Sequence, residues 1–310
     1  MKIILITGGT GMLGTNLQKS FKNRNLNGFF IGRGDNDEFN LLDYEKTKRL
    51  FSEIKPSIVI HAAANVGGIG YNIANPGTLI RDNLKMGINI LDACVEFEVS
   101  NLYITSTCCA YPKTIPMPMK EDDLWNGYPE QSNSGYGIAK KTIMKMSQDY
   151  RQQFGLKSTT FILANLYGLH DNFDPKKSHV MPALIRKFCE AKRNNFPTVE
   201  CWGTGSATRS FLFSEDLANC LSGAVDSSFD YHLPINLAPS DDISIRELAY
   251  LIAELTGYQG TITFSGGLDG QPKRLLDVSR AAEMLNWRAT TNLTDGLKRT
   301  IEWYKESLQQ

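Results

Sequence analysis

Residues 3–14 read Ile-Ile-Leu-Ile-Thr-Gly-Gly-Thr-Gly-Met-Leu-Gly, and this stretch decides the fold of the 310-residue chain. Its apolar start is typical of a buried strand, and a helical pattern follows over about 11–24. Glycines between a strand and a helix let the backbone approach a pyrophosphate, which then meets the free N–H groups of the helix N-terminus. The stretch therefore predicts a dinucleotide-binding turn. Its cofactor-binding residues are predicted to be Gly8, Thr10, Gly11, Met12, Leu13 and Gly14.

Beyond this turn, short apolar runs alternate with amphipathic stretches up to about residue 166. The pattern predicts strands at about 28–32, 58–62, 102–105 and 160–163, and helices at about 45–53, 78–98 and 134–154. Strands alternating with helices predict an α/β fold with a Rossmann-type, doubly wound parallel sheet. Ligands of such sheets bind at the carboxyl ends of the strands.

After about residue 166 the pattern loosens. Helical stretches near 178–193, 244–256 and 293–308 are separated by segments rich in Gly, Pro and Asp, which predicts a smaller α-rich substrate-binding domain. We expect a dinucleotide-binding domain of residues 1–166 plus about 208–238. The smaller, substrate-binding domain is expected to comprise about 167–207 and 239–310.

Charge and cysteine content narrow the class of protein. Lys plus Arg is 33 and Asp plus Glu is 33, so no broad field of one sign is available for nucleic acid or an anionic membrane. No apolar run approaches the roughly 18 residues that span a bilayer. The six cysteines lack CxxC spacing, which is typical of reduced thiols in a cytoplasmic protein. With four histidines and no HExxH motif, no metal site is expected.

The end of the second predicted strand bears on the choice of nicotinamide cofactor. An acidic residue there would bind the ribose 2′-hydroxyl of NAD, but this strand ends at Gly32-Arg33, which favours NADP. Asp35 and Asp37 lie close by and keep NAD open. Asp43 could meet the adenine edge or cap the helix that begins near Tyr44.

Tyr136 and Lys140 lie four residues apart, on one face of a predicted helix. An ammonium beside the phenol would lower the pKa of the tyrosine, which could then give a proton to a carbonyl oxygen that receives hydride. Thr107, after a strand ending in hydroxyl residues, could hydrogen-bond the same oxygen. The chain holds a second such pair, Tyr44 and Lys48, where no cofactor chemistry is expected.

Several longer motifs accompany these residues. They are His61-Ala-Ala-Ala-Asn-Val-Gly-Gly68, Thr107-Cys-Cys-Ala-Tyr-Pro112, Ser134-Gly-Tyr-Gly-Ile-Ala-Lys140, Asn165-Leu-Tyr-Gly168, His170-Asp-Asn-Phe173, Ser178-His-Val-Met-Pro-Ala-Leu-Ile185, Trp202-Gly-Thr-Gly205, Arg209-Ser-Phe-Leu-Phe213 and Asp269-Gly-Gln-Pro272. Together they resemble the extended short-chain dehydrogenase/reductase family of nucleotide-sugar enzymes, the NAD-dependent epimerases and dehydratases, over nearly the whole chain.

The resemblance implies roles by position. Cys109 and His179 match a proton-transfer pair for epimerisation, which joins Thr107, Tyr136 and Lys140 as catalytic residues. Further cofactor contacts are expected at Arg33, Asn40, Leu41, Ala62, Ala63, Thr105, Ser106, Lys140, Leu163, Asn165, Leu166 and His179. Nucleotide-sugar contacts are expected at Lys187, Trp202, Arg209 and Asp269.

The chain also departs from the family pattern. Thr107-Cys108-Cys109 stands where the family has Ser-Ser-Cys or Ser-Thr-Cys, and Leu163-Ala164 stands where it has Pro-Thr. A family arginine after the second strand is replaced by Asn36, and Arg33 could substitute for it. These differences weaken the exact substrate assignment more than the reaction class.

Each candidate also has a plainer interpretation. Cys109 could be a small buried hydrophobe, as its neighbour Cys108 is expected to be. To act as a base it would need a nearby cation that lowers its pKa, or proton transfer to His179 at each step. His179 follows Ser178, a candidate cap at a helix start. Trp202 could stack on a base or fill the core of the smaller domain.

Three further side chains are open to the same doubt. Arg209 could bind pyrophosphate or form a surface ion pair. Only one of Arg186 and Lys187 can point into the cleft that is expected between the two predicted domains. His61 is expected to be structural.

The resemblance implies NADPH-dependent epimerisation at C3 and C5 and reduction at C4 of a GDP-4-keto-6-deoxyhexose, giving GDP-L-fucose or a close relative. A single-activity epimerase or 4-reductase of a related GDP-deoxysugar, such as colitose or a 6-deoxyheptose, remains open, as does a non-catalytic NADP-binding regulatory protein. The helix at about 134–154 is expected to pair with its copy in a homodimer, beside the helix at about 78–98.

Overall fold

The computed structural model describes residues 2–32, 39–267 and 270–309. Two predicted site residues, Arg33 and Asp269, lie outside this described part of the chain, as do Asp35, Asn36 and Asp37. The expectations attached to these positions therefore remain predictions.

The strands follow the chain in the order in which they are numbered here. They are Ile4–Thr7 (β1), Gly28–Ile31 (β2), Ile58–His61 (β3), Asn101–Thr107 (β4), Ser158–Leu163 (β5), Asn165–Tyr167 (β6), Thr198–Cys201 (β7), Thr208–Arg209 (β8), Phe211–Phe213 (β9), Ile235–Leu237 (β10), Ile243–Ser244 (β11), Thr261–Phe264 (β12) and Lys273–Arg274 (β13).

The helices are numbered in the same way. They are Met12–Asn23 (α1), Tyr44–Ile54 (α2), Ile69–Ala74 (α3), Pro76–Glu96 (α4), Ser134–Phe154 (α5), Val180–Arg193 (α6), Ser214–Asp226 (α7), Ile245–Thr256 (α8), Ser279–Leu285 (α9) and Leu293–Ser307 (α10). Every strand and helix predicted from the sequence is confirmed, with ends shifted by a few residues. The sequence pattern did not predict the helices α3, α7 and α9.

Six parallel strands form the central sheet, in the order β10-β5-β4-β3-β1-β2. The chain runs outward from β1 to β2 and then returns to place β3 on the other side of β1. The carboxyl ends of β1 and β3 therefore flank a topological switch point, where open α/β sheets bind their ligands. The prediction of a Rossmann-type, doubly wound parallel sheet is confirmed.

The two faces of the sheet carry separate cores because successive side chains of a strand point to opposite faces. Ile4 and Ile6 of β1 pack on one face with α1 and α7, whereas Leu5 packs on the other with α4 and α5. The strands β1, β3 and β5 are buried on both faces, which explains their continuous apolar runs in the sequence, whereas Phe29 of the edge strand β2 is exposed.

A third core lies outside the central sheet. It joins α6, α8 and α10 to the short strands β7 and β9, around Phe188, Leu248 and Ile301. The three-stranded sheet β11-β8-β13 and the pair β12-β7 belong to the same half of the chain. None of the helices in the described residues is long and apolar enough to cross a membrane.

Candidate active site

The glycine turn between β1 and α1 has the geometry that the sequence predicts. Gly8 has a φ of +76°, in the left-handed region that favours glycine, and a Cβ on Gly14 would lie 2.3 Å from the Gly8 carbonyl oxygen. The helix α1 starts at Met12 with no side-chain cap at Gly11 and no acidic residue in its first turn. Its first N–H groups therefore face an open turn, as a bound pyrophosphate requires.

The neighbouring strand ends extend this site. Ala63 follows β3 and donates its N–H to the Thr7 hydroxyl at 3.2 Å, against the backbone of the glycine turn. In the described part of the chain, the Ser106 hydroxyl of β4 is buried and has no hydrogen-bond partner. A buried hydroxyl without a partner fits a site that takes a polar ligand. The glycine turn and this hydroxyl together fit a dinucleotide.

The remaining expected cofactor contacts occupy three places. Asn40 and Leu41 precede α2, and Asn89 of α4 donates to the Leu41 carbonyl at 2.8 Å. Ala62 and Thr105 lie at the ends of β3 and β4. Leu163, Asn165 and Leu166 lie at the end of β5 and in β6.

The structure settles two of the alternatives left open. Asp43 is the N-cap of α2, where its carboxylate accepts from the Lys46 N–H at 3.3 Å. The second Tyr-Lys pair is structural, because Tyr44 and Lys48 both bind the carboxylate of Glu96 at the surface.

His61 is structural, as expected. It is buried in β3, and its Nδ1 lies 2.9 Å from the Thr7 hydroxyl. Burial, together with the charge of Lys140, lowers its pKa to about 3, so the ring is neutral.

Tyr136 and Lys140 lie on the buried face of α5, beside the end of β4. The Lys140 ammonium donates to the Thr105 carbonyl at 3.0 Å and lies 6.0 Å from the centre of the Tyr136 ring. The prediction that this lysine lowers the pKa of Tyr136 is wrong for the protein alone. Burial raises the pKa of Tyr136, and the nearby cysteines raise it further. Burial also lowers the pKa of Lys140 to about 8.

Glycine lets α5 approach the rest of the site. A Cβ on Gly137 would lie 2.3 Å from the carbonyl oxygen of Cys109. Tyr136 therefore lies next to the short turn Cys108–Ala110 that follows β4. The Thr107 hydroxyl caps this turn by accepting the Cys109 N–H at 3.2 Å.

Cys109 is half-exposed, whereas the other five cysteines, all of them free, are buried. A hydrogen bond from the Cys108 thiol holds the pKa of Cys109 well below its usual value, because it and the Arg274 guanidinium outweigh the opposing effect of burial. Cys108 is the small buried residue that the sequence suggests, and its own pKa is raised. Cys109 is therefore not the buried core residue of the plainer interpretation, and its lowered pKa is compatible with a role as a base.

Arg274 is the residue that sequence reasoning missed. Its Nη1 lies 3.3 Å from the Cys109 sulfur, although the two are 165 residues apart in the chain. The available signal was chemical, because a nearby cation favours a thiolate and Arg274 lies two residues after the Asp269–Pro272 motif.

His179 is itself the N-cap residue of α6, and the interpretation of Ser178 as the cap is wrong. The imidazole makes no capping hydrogen bond. The surrounding protein lowers its pKa by desolvation, and the charge of Cys109 opposes this shift. The charge of each group therefore shifts the pKa of the other.

The Val-Gly-Gly segment after β3 packs directly against the backbone before His179. Gly68 donates its N–H to the Lys177 carbonyl at 2.9 Å. A Cβ on Gly68 would lie 2.3 Å from the Ser178 carbonyl oxygen. Only glycine permits this approach, so Gly68 sets where His179 enters the cleft.

Three of the expected sugar-nucleotide residues, Lys187, Trp202 and Arg209, lie in the second half of the chain, in or beside α6, β7 and β8. Trp202 is 70% exposed, so the interpretation that it fills a core is wrong. The Lys187 ammonium lies 5.9 Å from the centre of the Trp202 ring and donates to the Glu200 carbonyl, while Arg186 pairs with Glu190 on α6. Arg209 of β8 is half-buried and donates to the Thr208 carbonyl at 2.7 Å.

Comparison with known proteins adds independent evidence. Residues 4–234 match the model of the NAD dependent epimerase/dehydratase family. The chain is 35% identical over 313 residues to GDP-L-fucose synthase of Escherichia coli (strain K12), with 98% of this chain and 97% of that protein covered.

Two solved structures are similar over nearly the whole chain. A GDP-6-OMe-4-keto-L-xylo-heptose reductase from C. jejuni has a TM-score of 0.91 and 29% identity, with 99% of this chain and 98% of that chain covered. A GDP-L-fucose synthetase from Naegleria fowleri bound to NADP has a TM-score of 0.89 and 30% identity, covering 99% and 94%. With its glycine turn, Tyr-Lys pair and matching sequence, this chain belongs to the NAD dependent epimerase/dehydratase family.

Proposed function

We propose that this protein is an NADPH-dependent enzyme that epimerises C3 and C5 and reduces C4 of a GDP-4-keto-6-deoxyhexose, giving GDP-L-fucose or a close relative. One observation carries the proposal. The half-exposed Cys109 thiol contacts Arg274 and lies in the turn capped by Thr107, against the helix that carries Tyr136 and Lys140. The relatives named above, which include a GDP-L-fucose synthase, support the same substrate class.

Epimerisation uses the acidity that the C4 ketone gives to the protons at C3 and C5. A base removes one such proton, and an acid returns a proton to the opposite face, which inverts the carbon. Cys109 and His179 supply these two groups from different elements, the turn after β4 and the start of α6. The Thr107 and Tyr136 hydroxyls stabilise the negative charge on the C4 oxygen.

Reduction uses the same oxygen. NADP(H), when bound, supplies the hydride that C4 accepts. The glycine turn, the ends of β3 and β4 and Lys140 would hold it, and Arg33 would favour its 2′-phosphate. Tyr136 donates the proton to the C4 oxygen. Its raised pKa suits this role, because the phenol is protonated at neutral pH.

The nucleotide of the substrate would lie across the second half of the chain, in a domain of about 167–207 and 239–310. Trp202 offers an exposed ring on which a base can stack, beside the Lys187 ammonium. Arg209 offers a planar fork for the pyrophosphate, and Asp269 is an expected contact.

A second function has specific support. The C. jejuni structure that this chain resembles is a 4-keto-heptose reductase, so the chain could reduce C4 of a related GDP-sugar without epimerising it. The lowered pKa of Cys109 and its contact with Arg274 favour the two-step activity, because reduction alone needs no thiolate.

The proposal is tested by incubating the protein with NADPH and GDP-4-keto-6-deoxymannose in deuterated water. We expect loss of the nicotinamide absorbance and a product that carries deuterium at C3 and C5 by NMR. Reduction without deuterium would favour the single-activity reductase. Failure to oxidise NADPH with any 4-keto sugar nucleotide would overturn the proposal.

Gly68 offers a test of how His179 is positioned. Gly68→Ala forces a methyl group against the Ser178 carbonyl, and a displacement of about 1 Å can cost about 10²-fold in rate. We expect deuterium exchange to fall by about that factor, with a smaller change in reduction. Gly77→Ala is the matched control, because a Cβ there meets no atom within 4 Å. Equal exchange rates in both variants would contradict this role of Gly68.

We further propose that the enzyme is a homodimer in which α5 pairs with its copy beside α4. Multi-angle light scattering at micromolar concentration should give twice the mass of the 34.6 kDa chain, and a monomer would contradict the proposal. The six free cysteines support a reducing compartment such as the cytoplasm.

A further inference from the structure

Arg274 occupies an unusual position for an arginine. It lies in β13 and is 7% exposed, and its side chain is directed at the sulfur of Cys109 at 3.3 Å. A guanidinium is costly to bury unless hydrogen bonds and an opposite charge compensate it. Its hydrogen-bond partners are the neutral amide of Gln271 and the sulfur of Cys109, and the charge of Glu130 acts on it without a hydrogen bond to it.

Gln271 fixes the guanidinium. Its side chain is almost fully buried, and its Oε1 accepts from Arg274 Nε at 3.0 Å. Its Nε2 donates to the Lys113 carbonyl at 3.0 Å, in the segment that continues from the Cys109 turn. The amide therefore links Arg274 to the same stretch of backbone that carries the thiol. This link fixes the distance between Arg274 Nη1 and the Cys109 sulfur.

The strand pairing adds a second constraint. Arg274 lies opposite Arg209 in the parallel pair β13-β8, and the Met119 N–H donates to the Leu275 carbonyl at 2.8 Å. Backbone hydrogen bonds on both sides of Arg274 thus place it independently of any ligand.

From this geometry we propose that Arg274 is the permanent cation that keeps Cys109 as a thiolate, and that Gln271 positions its guanidinium. The inference rests on the proposed function only for the use of that thiolate in proton transfer. Arginine is suited to the task because it stays charged while a neighbouring group gains and loses a proton. A free thiol titrates at about 8.5, so without a cation it would be a weak base at neutral pH.

Other groups also face Cys109 and enter any pH profile. From its own turn these are the Cys108 thiol and the Thr107 hydroxyl, and from α5 and α6 they are Tyr136 and His179. Glu130 acts on Arg274, and Arg209 acts on Cys108. Among them, the Arg274 guanidinium is the cation in hydrogen-bond contact with the sulfur.

The test is the pH dependence of Cys109 alkylation by iodoacetamide in the ligand-free protein, read by mass spectrometry of the Cys109 peptide. We expect Arg274→Met to move the midpoint upward by at least about one pH unit, which is about a tenfold slower reaction at pH 7. Arg274→Lys should restore much of the wild-type profile, because it returns the charge. Gln271→Met should give a smaller upward shift, since the guanidinium remains but is no longer held.

Controls separate the charge from the fold. Cys109→Ser gives the background from the five buried cysteines, and thermal unfolding verifies that each variant is folded. If Arg274→Met does not fold, the neutral but polar Arg274→Gln should show the same upward shift. Identical midpoints for the wild type and the folded neutral variant would overturn the inference.

The experiment does not depend on the identity of the substrate. A shifted alkylation midpoint combined with no deuterium exchange in the wild type would support Arg274 and reject the epimerase. An unshifted midpoint with normal exchange would reject Arg274 and leave the epimerase in place.

Discussion

Replacing Tyr136 with Phe is expected to slow reduction of the 4-keto sugar by about 10²- to 10⁴-fold, the usual contribution of a positioned general acid. The change removes one hydroxyl and keeps the ring, which is buried in α5 beside the Cys109 turn. Single-turnover oxidation of NADPH measures the effect. Deuterium exchange should fall less, because Thr107 still stabilises the C4 oxygen while Cys109 and His179 transfer the protons.

The chain provides a matched control for this variant. Tyr44→Phe removes a hydroxyl from the other Tyr-Lys pair, whose partner is the surface carboxylate of Glu96, and should leave both rates unchanged. If Tyr136→Phe reduced the sugar within about threefold of the wild-type rate, far below the usual loss on removing a general acid, the proton would come from another donor, and the role of Tyr136 would have to be given up.

Five of the six strands of the central sheet could be predicted because their information is local, whereas β10, with only three residues, was missed. Apolar runs buried on both faces mark parallel strands, and the glycines after β1 mark the turn. The carboxyl ends of such strands share one edge, so Thr107 and the glycine turn were expected to lie together. Helices α3 and α9 were missed because each spans only six or seven residues, too few for a clear period.

The electrostatics of the site could not be predicted in the same way. The pKa of Tyr136 was expected to fall because only the neighbouring lysine was considered. Burial of the phenol raises this pKa, and the effect of burial is larger than that of the lysine. Arg274 was missed because its contact with Cys109 depends on the pairing of β13 with β8, and no local pattern encodes that pairing.

The glycines of the Val-Gly-Gly segment illustrate an intermediate case. The motif was recognisable in the sequence as part of a family pattern. Its physical reason, the close approach of Gly68 to the Ser178 carbonyl, needs the three-dimensional arrangement of two segments about 110 residues apart in the chain.

Replacing Cys109 with Ser is expected to abolish deuterium incorporation at C3 and C5 while reduction continues. A serine hydroxyl beside Arg274 stays protonated at neutral pH, since an alkoxide is far more costly to form than a thiolate, so the site loses its base. We expect exchange to fall by about 10²- to 10⁴-fold. NMR of the product formed in deuterated water measures exchange, and NADPH oxidation measures reduction.

Cys220→Ser, on the buried face of α7, is the control for a cysteine change outside the site. The two-step mechanism requires that Cys109→Ser still bind and reduce a substrate that needs no epimerisation, because Thr107, Tyr136 and Lys140 are untouched. Equal loss of both activities would mean that the thiol supports the site as a whole. Unchanged exchange would assign the base to His179 alone, and Cys109 with its arginine would then need another function.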